Sequence, residues 1–122
     1  MVNYESVEVV ESQLARGVTF TVTKMSYGRR VELMRRIREL SRGLEFLDAG
    51  SEPSEKMDAA LLEAQINRLH LIWGLQAVSG LVLDGKDATP ESLTDTGPEE
   101  LFREALELVR KHTGLSEAER KN

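Results

Sequence analysis

The chain contains no cysteine, two histidines, one tryptophan, two tyrosines and three phenylalanines in 122 residues. Without cysteine there is neither a disulfide nor a thiolate metal site, and a domain of this length does not need one to fold. That absence favours a reducing compartment. His70 and His112 lie on different predicted helices, leaving little material for a metal site or a histidine-activated nucleophile. No stretch of about 18 consecutive apolar residues occurs, so no membrane helix is expected. The opening Met-Val-Asn-Tyr-Glu-Ser lacks the basic stretch and apolar run of a signal peptide. These absences predict a soluble cytoplasmic protein that makes no membrane contact and carries no cofactor. There is no internal repeat and no low-complexity segment.

What is present is an ordinary globular composition, 40% hydrophobic and 30% charged. One domain over residues 1–122 is expected, with a β-hairpin over 1–25, a helical body with a short Asp-Gly turn over 26–114, and a tail over 115–122. The net charge of −5 hides an uneven distribution. Residues 24–42 carry Lys24 and six arginines against Glu32 and Glu39, whereas residues 43–122 hold sixteen acids against eight bases. This is an acidic chain with one basic segment.

Val18 to Lys24 alternate apolar and polar with β-branched residues, the period-two pattern of a half-buried strand. Residues 7–11 are the expected partner strand, with Arg16-Gly17 near the turn, and a helix must cover the apolar face. Ser26 is a suitable cap for a helix over about residues 27–48, in which Leu33, Met34, Ile37, Leu40, Leu44 and Leu47 recur at spacings of three and four. Gly43 interrupts this stripe, and Gly50 to Ser54 reads as a helix end and loop. A second helix is expected from Pro53 or Ser54 to about Val78, carrying Met57, Leu61, Leu62, Ile66, Leu69, Ile72 and Trp73. Leu81-Val82-Leu83 before Asp84-Gly85 predicts a short buried strand entering a tight turn. Thr89-Pro90 starts a short helix that Gly97-Pro98 ends, and Pro98 opens a third main helix with Leu101, Phe102, Ala105, Leu108 and Val109 inward, ending before Gly114. Ser116 to Glu119 has a capping-box pattern for a final turn. The expected fold class is α+β, predominantly helical, with the hairpin packed against three main helices.

Gly80-Leu81-Val82-Leu83-Asp84-Gly85-Lys86-Asp87 matches a phosphate loop except at its last position. There aspartate replaces the magnesium-binding hydroxyl and sets a carboxylate where phosphates would lie. Asp84, Asp87 and Asp95 lack the ligand spacing of a calcium loop. Plentiful acids on helices more often make a solvated face than a carboxylate hydrolase site. Trp73, at helical spacing from Leu69 and Ile66, is expected in the core with its indole N–H bonded at the edge; as the single tryptophan it is also a candidate anchor for a partner. Arg29, Arg30, Arg35, Arg36, Arg38 and Arg42 lie off the apolar stripe of the first helix. Six guanidiniums on one helix repel unless acids meet them, and those acids belong either to this chain or to a partner.

The second half resembles the tail assembly chaperones encoded in the tail region of bacteriophages and prophages. The residues that carry the resemblance are Trp73-Gly74-Leu75 leading into Gly80 to Gly85, then Ala88-Thr89-Pro90 and Gly97-Pro98-Glu99-Glu100-Leu101, closing with Gly114-Leu115-Ser116-Glu117 to Lys121-Asn122. Ser26, Arg29-Arg30 and Glu45-Phe46-Leu47 add to it from the first half. The resemblance implies a non-enzymatic protein of the bacterial host cytoplasm that holds the long helical tape measure protein before tail assembly, with the tail tube protein as a further partner. It transfers no individual functional residue. The alternative is a small nucleic-acid-associated regulator using the arginine-rich helix, against which the acidic isoelectric point near 5.1 and the lack of interleaved aromatics argue.

Overall fold

The structure, a computed structural model, describes residues 1–45 and 53–114. The β-branched alternation at the start of the chain forms strands β1 (Val7–Glu11) and β2 (Thr19–Thr23), paired antiparallel with Val7 opposite Thr23 and Glu11 opposite Thr19. Period two sends Val18, Phe20 and Val22 to one face, and all three are buried. In the connecting loop the Ser12 hydroxyl accepts the amides of Leu14 (3.1 Å) and Ala15 (3.0 Å), and Val18 accepts the Ser12 amide at 2.8 Å. Short polar side chains of this kind substitute for ladder bonds in a turn.

Helix α1 (Tyr27–Glu45) begins where the Ser26 hydroxyl accepts the Arg29 amide at 3.1 Å, the expected cap. Helix α2 (Pro53–Gly74) returns alongside it, and Leu33 and Ile37 are fully buried against Ile66, Leu69 and Trp73. Removing each such side chain from water contributes about 1.5–3 kcal/mol. The expected continuation of α1 to residue 48, the loop at Gly50 to Glu52 and the turn over Ser116 to Glu119 fall outside the described residues.

The second helix is shorter than its apolar spacing predicts. It stops at Gly74, and Leu75–Ser79 form strand β3, which pairs antiparallel with β2, so the hairpin becomes a three-stranded sheet of order β1-β2-β3. Leu75 and Val78 are buried, and a bulge between Thr21 and Val22 in the register puts Leu75 opposite Val22. The cause is tertiary. A Cβ on residue 74 would collide with the Val109 side chain, so the glycine marks the point where the chain passes the final helix and turns into the sheet. At the other end of β3, Gly80 takes φ +80°, and a Cβ there would strike the Gly17 carbonyl across the sheet. That position accepts no other residue without backbone movement.

Beyond it, β4 (Val82–Leu83) and β5 (Lys86–Asp87) form a two-residue-armed hairpin about Asp84 and Gly85, whose φ values of 50° and 82° match a type I′ turn. The buried strand expected over Leu81 to Leu83 is corrected in part: Val82 is 61% exposed, because alternation turns only Leu81 and Leu83 toward the core. Helix α3 (Pro90–Thr96) starts with a full capping box between Thr89 and Ser92 and ends at Gly97. Helix α4 (Glu99–Thr113) has Glu99 and Glu100 in its first turn and Arg110, Lys111 and His112 in its last, complementing the helix dipole, and Gly114 closes it in the left-handed conformation. Its Leu101, Ala105, Leu106 and Val109 join Phe20, Val22, Leu71, Leu75 and Leu93 in the main core. The architecture is α+β and mostly helical.

Polar ties lock α4 to the sheet face it covers. Glu104 accepts the Ser12 hydroxyl at 2.6 Å and the Gln13 amide at 2.7 Å, and His112 meets Glu8 at 2.9 Å. Glu8 and Ser12 lie four residues apart on the same side of the chain as Val10, so one α4 face reads one strand face.

Candidate functional site

The six arginines of α1 do not act as one cluster. With 100° per residue, Arg29 and Arg36 fall on the flank nearest α2, whereas Arg35, Arg38 and Arg42 fall within about 60° of each other on the side opposite the Leu33 and Ile37 seam. The first pair is spoken for. The Arg29 guanidinium lies 4.1 Å from the Trp73 ring centroid and that of Arg36 lies 4.9 Å from it. Arg29 also donates to the Trp73 carbonyl at 2.8 Å, while the Trp73 indole N–H donates to the Arg29 carbonyl at 3.3 Å. Trp73 is half-buried at the margin of the Leu33 and Ile37 cluster rather than within the core, it has the expected edge bond, and its ring is engaged by α1 itself. Cation–π contacts of this kind contribute about 0.5–2 kcal/mol, more as water is excluded.

Among the described residues, the one acid that pairs with these arginines is Glu32, on α1 itself. Glu32 reaches Arg35 at 3.3 Å and Arg36 at 3.6 Å, at i,i+3 and i,i+4 spacing. Among the described residues no carboxylate from any other element pairs with an α1 arginine. Arg38 and Arg42 are exposed and have no hydrogen-bond or ion-pair partner among the described residues. Arg30 is half-buried near Gly114, at the junction of α1 with the end of α4.

Two residues on the outward face had no signal of their own in the sequence. Tyr27, 79% exposed, and half-buried Val31 precede Arg35, Arg38 and Arg42 on the same side of α1. The signal was present as the spacing 27, 31, 35, 38, 42, but the neighbouring core stripe masked it. The face therefore joins an aromatic and an aliphatic contact to three cations, two of them without a partner among the described residues.

The other constellations do not assemble. Gly80 to Asp87 form the exposed hairpin, with Lys86 on a strand rather than at the start of a helix, so the backbone cradle of a phosphate loop is missing. His70 is fully buried in α2 and His112 faces Glu8. Among the described residues no group of three potential ligands could hold a metal ion. An open groove of about 480 Å³ between α2, α3 and α4 is lined by Leu61, Ala64, Arg68, Phe102 and Arg103, with Glu99 its one acidic side chain among the described residues. Arg103 holds Glu99 at 2.8 Å. Arg68 reaches across from α2 to Asp95, whose carboxyl is held below the ordinary aspartate range, chiefly by that hydrogen bond. With its charges paired internally, the groove offers apolar contact. No helix among the described residues is long and apolar enough to cross a membrane.

No family model, curated protein or solved structure matches the chain.

Proposed function

We propose that the chain is a protein-binding module that engages an acidic amphipathic helix of its partner through the outward face of α1. The observation that carries the reading is the placement of Arg38 and Arg42. Both are exposed, both lack a partner among the described residues, and they share a face with Arg35, Val31 and Tyr27. Tyrosine and arginine are the residue types that most often anchor protein interfaces, and the arginine fork matches a carboxylate.

Magnitudes assign the parts. An exposed ion pair contributes about 0.2–1 kcal/mol, so three pairs alone give only a weak complex. The arginines set orientation and speed the encounter, while burial of Tyr27 and Val31 against the apolar stripe of the partner slows dissociation. A long helical protein awaiting assembly, such as the tape measure protein of a phage tail, offers that combination of acids and unburied apolar stripe. The likeness of the second half to tail assembly chaperones supports this partner class, with the tail tube protein as a second candidate and the host cytoplasm as the setting.

Co-expression with a tape measure protein tests the reading. Co-purification is expected, and Arg38→Glu with Arg42→Glu should abolish it while the fold persists. Retained binding in that variant removes the arginine role. Low-salt gel shifts address the nucleic-acid alternative, because DNA binding through this face would weaken steeply with added salt; such a shift, lost in the same variant, would replace the protein-partner reading.

A further inference from the structure

The start of α2 carries an apolar stripe that stays bare among the described residues. Met57, Ala64 and Leu71 are seven residues apart, as are Ala60, Asn67 and Gly74, so all six share one side of the helix. At the far end that side is covered: Leu71 is fully buried in the sheet core, Gly74 abuts Val109, and Asn67 accepts a hydrogen bond from Arg110. At the near end it overhangs the body. Met57 is 63% and Leu61 55% exposed, and Ala60 and Ala64 are exposed between them. The stripe runs directly into the groove lined by Leu61, Ala64 and Phe102. The opposite side of α2 is already taken by α1.

We propose that this overhang is a self-association surface, pairing with the same segment of a second copy of the chain in an antiparallel, two-fold arrangement. The flanking charges select the occupant. Lys56 and Glu63, both exposed and without a partner among the described residues, lie on one flank of the stripe. In an antiparallel helix pair each flank meets its own counterpart, so a two-fold axis between Ala60 and Leu61 brings Lys56 to within two residues, about 3 Å along the helix, of the level of Glu63 of the second copy, and Glu63 equally near its Lys56. On the other flank Asp58 faces Gln65, so no like charges oppose. The same axis sets Met57 of the second copy opposite Ala64, at the mouth of the groove, where Leu61 and Phe102 supply apolar walls. Ala60 and Ala64 let the two helix axes approach to about 8 Å, the close end of helix packing. The outward face of α1 stays open in this dimer, so self-association and partner binding are separable.

Sedimentation equilibrium on the whole chain, over concentrations up to about 300 µM, tests the proposal, since a small interface of this kind dissociates in the micromolar range. A reversible dimer is expected. Lys56→Glu and Glu63→Lys should each weaken it about tenfold by placing like charges opposite one another twice, and the double swap should return it to within about threefold of the original. All three variants alter exposed positions, and circular dichroism should show them equally folded. Ala64→Arg should leave only monomer. A chain that stays monomeric throughout the range overturns the proposal, as does a double swap no tighter than either single variant.

Discussion

Trp73 and Asp95 are each defined by an arginine from another element, with opposite consequences for titration. The Trp73 ring has no charge to lose, so its contacts with Arg29 and Arg36 hold across the whole range in which the protein folds. Asp95 differs because its bond with Arg68 exists only while the carboxyl is ionised. That hydrogen bond, and then the charge of Arg68, hold its pKa below the ordinary 3.8 against the opposing effect of partial burial. A group whose pKa is lowered on folding stabilises the fold above its unfolded value, and the contribution disappears as pH falls through the lowered folded value. Stability attributable to Asp95 is therefore present at neutral pH and lost only below about 3.8. Side-chain carboxyl NMR should show Asp95 titrating below that value, and Arg68→Ala should return its midpoint toward it. An unchanged midpoint in that variant would show that another group holds the proton off. The pair is half-exposed, so its effect on stability is small beside the core.

At the scale of elements, the joint between α4 and the β1–β2 loop depends on one side chain. Glu104 accepts two hydrogen bonds from a loop whose own Ser12 is buried and already accepts two amides. Removing the carboxylate leaves the hydroxyl proton of the buried Ser12 without its acceptor. Hydrogen bonds to a charged group contribute about 1.5–3 kcal/mol, so Glu104→Ala should destabilise the fold by about 2–3 kcal/mol in urea denaturation. Amide exchange at Gln13 should accelerate, while amides in the α1–α2 hairpin keep their protection. A uniform loss of protection would mean that the two packing units unfold together. Nothing in local sequence pointed to this joint, because Ser12 and Glu104 are 92 positions apart and each looks like an ordinary surface residue. The strand β3 was hidden for a related reason. Leu75 and Val78 satisfy helical spacing from Ile72 as well as they satisfy a strand, and what decides between them is the contact of Gly74 with Val109, a packing event. Legible elements were those whose signals are local: the β1 and β2 alternation, the Ser26 and Thr89 caps, the Pro98 start and the Gly114 stop.

For the whole molecule, the question left open by the charge count was whether the acids of residues 43–122 neutralise the basic helix. Among the described residues they do not: Glu32 serves Arg35 and Arg36 from within α1, Asp95 and Glu99 pair with Arg68 and Arg103, and Glu8 contacts His112. The arginines accordingly divide into a structural pair and an outward trio, a division composition cannot express because it depends on which flank faces Trp73. This predicts that stability and binding separate within a single helix. Arg29→Ala with Arg36→Ala strips the Trp73 ring of both cations and should lower the unfolding free energy by about 1–3 kcal/mol, leaving partner capture intact wherever the protein remains folded. Arg38→Glu with Arg42→Glu breaks no contact among the described residues and should change stability by no more than about 0.5 kcal/mol, while abolishing capture. Urea midpoints and co-purification measured on the same two variants decide the matter. If both double variants move both readouts, the arginines form one coupled unit and the division of labour along α1 is wrong. If neither alters capture, the partner binds elsewhere, and the bare stripe of α2 becomes the face to test next.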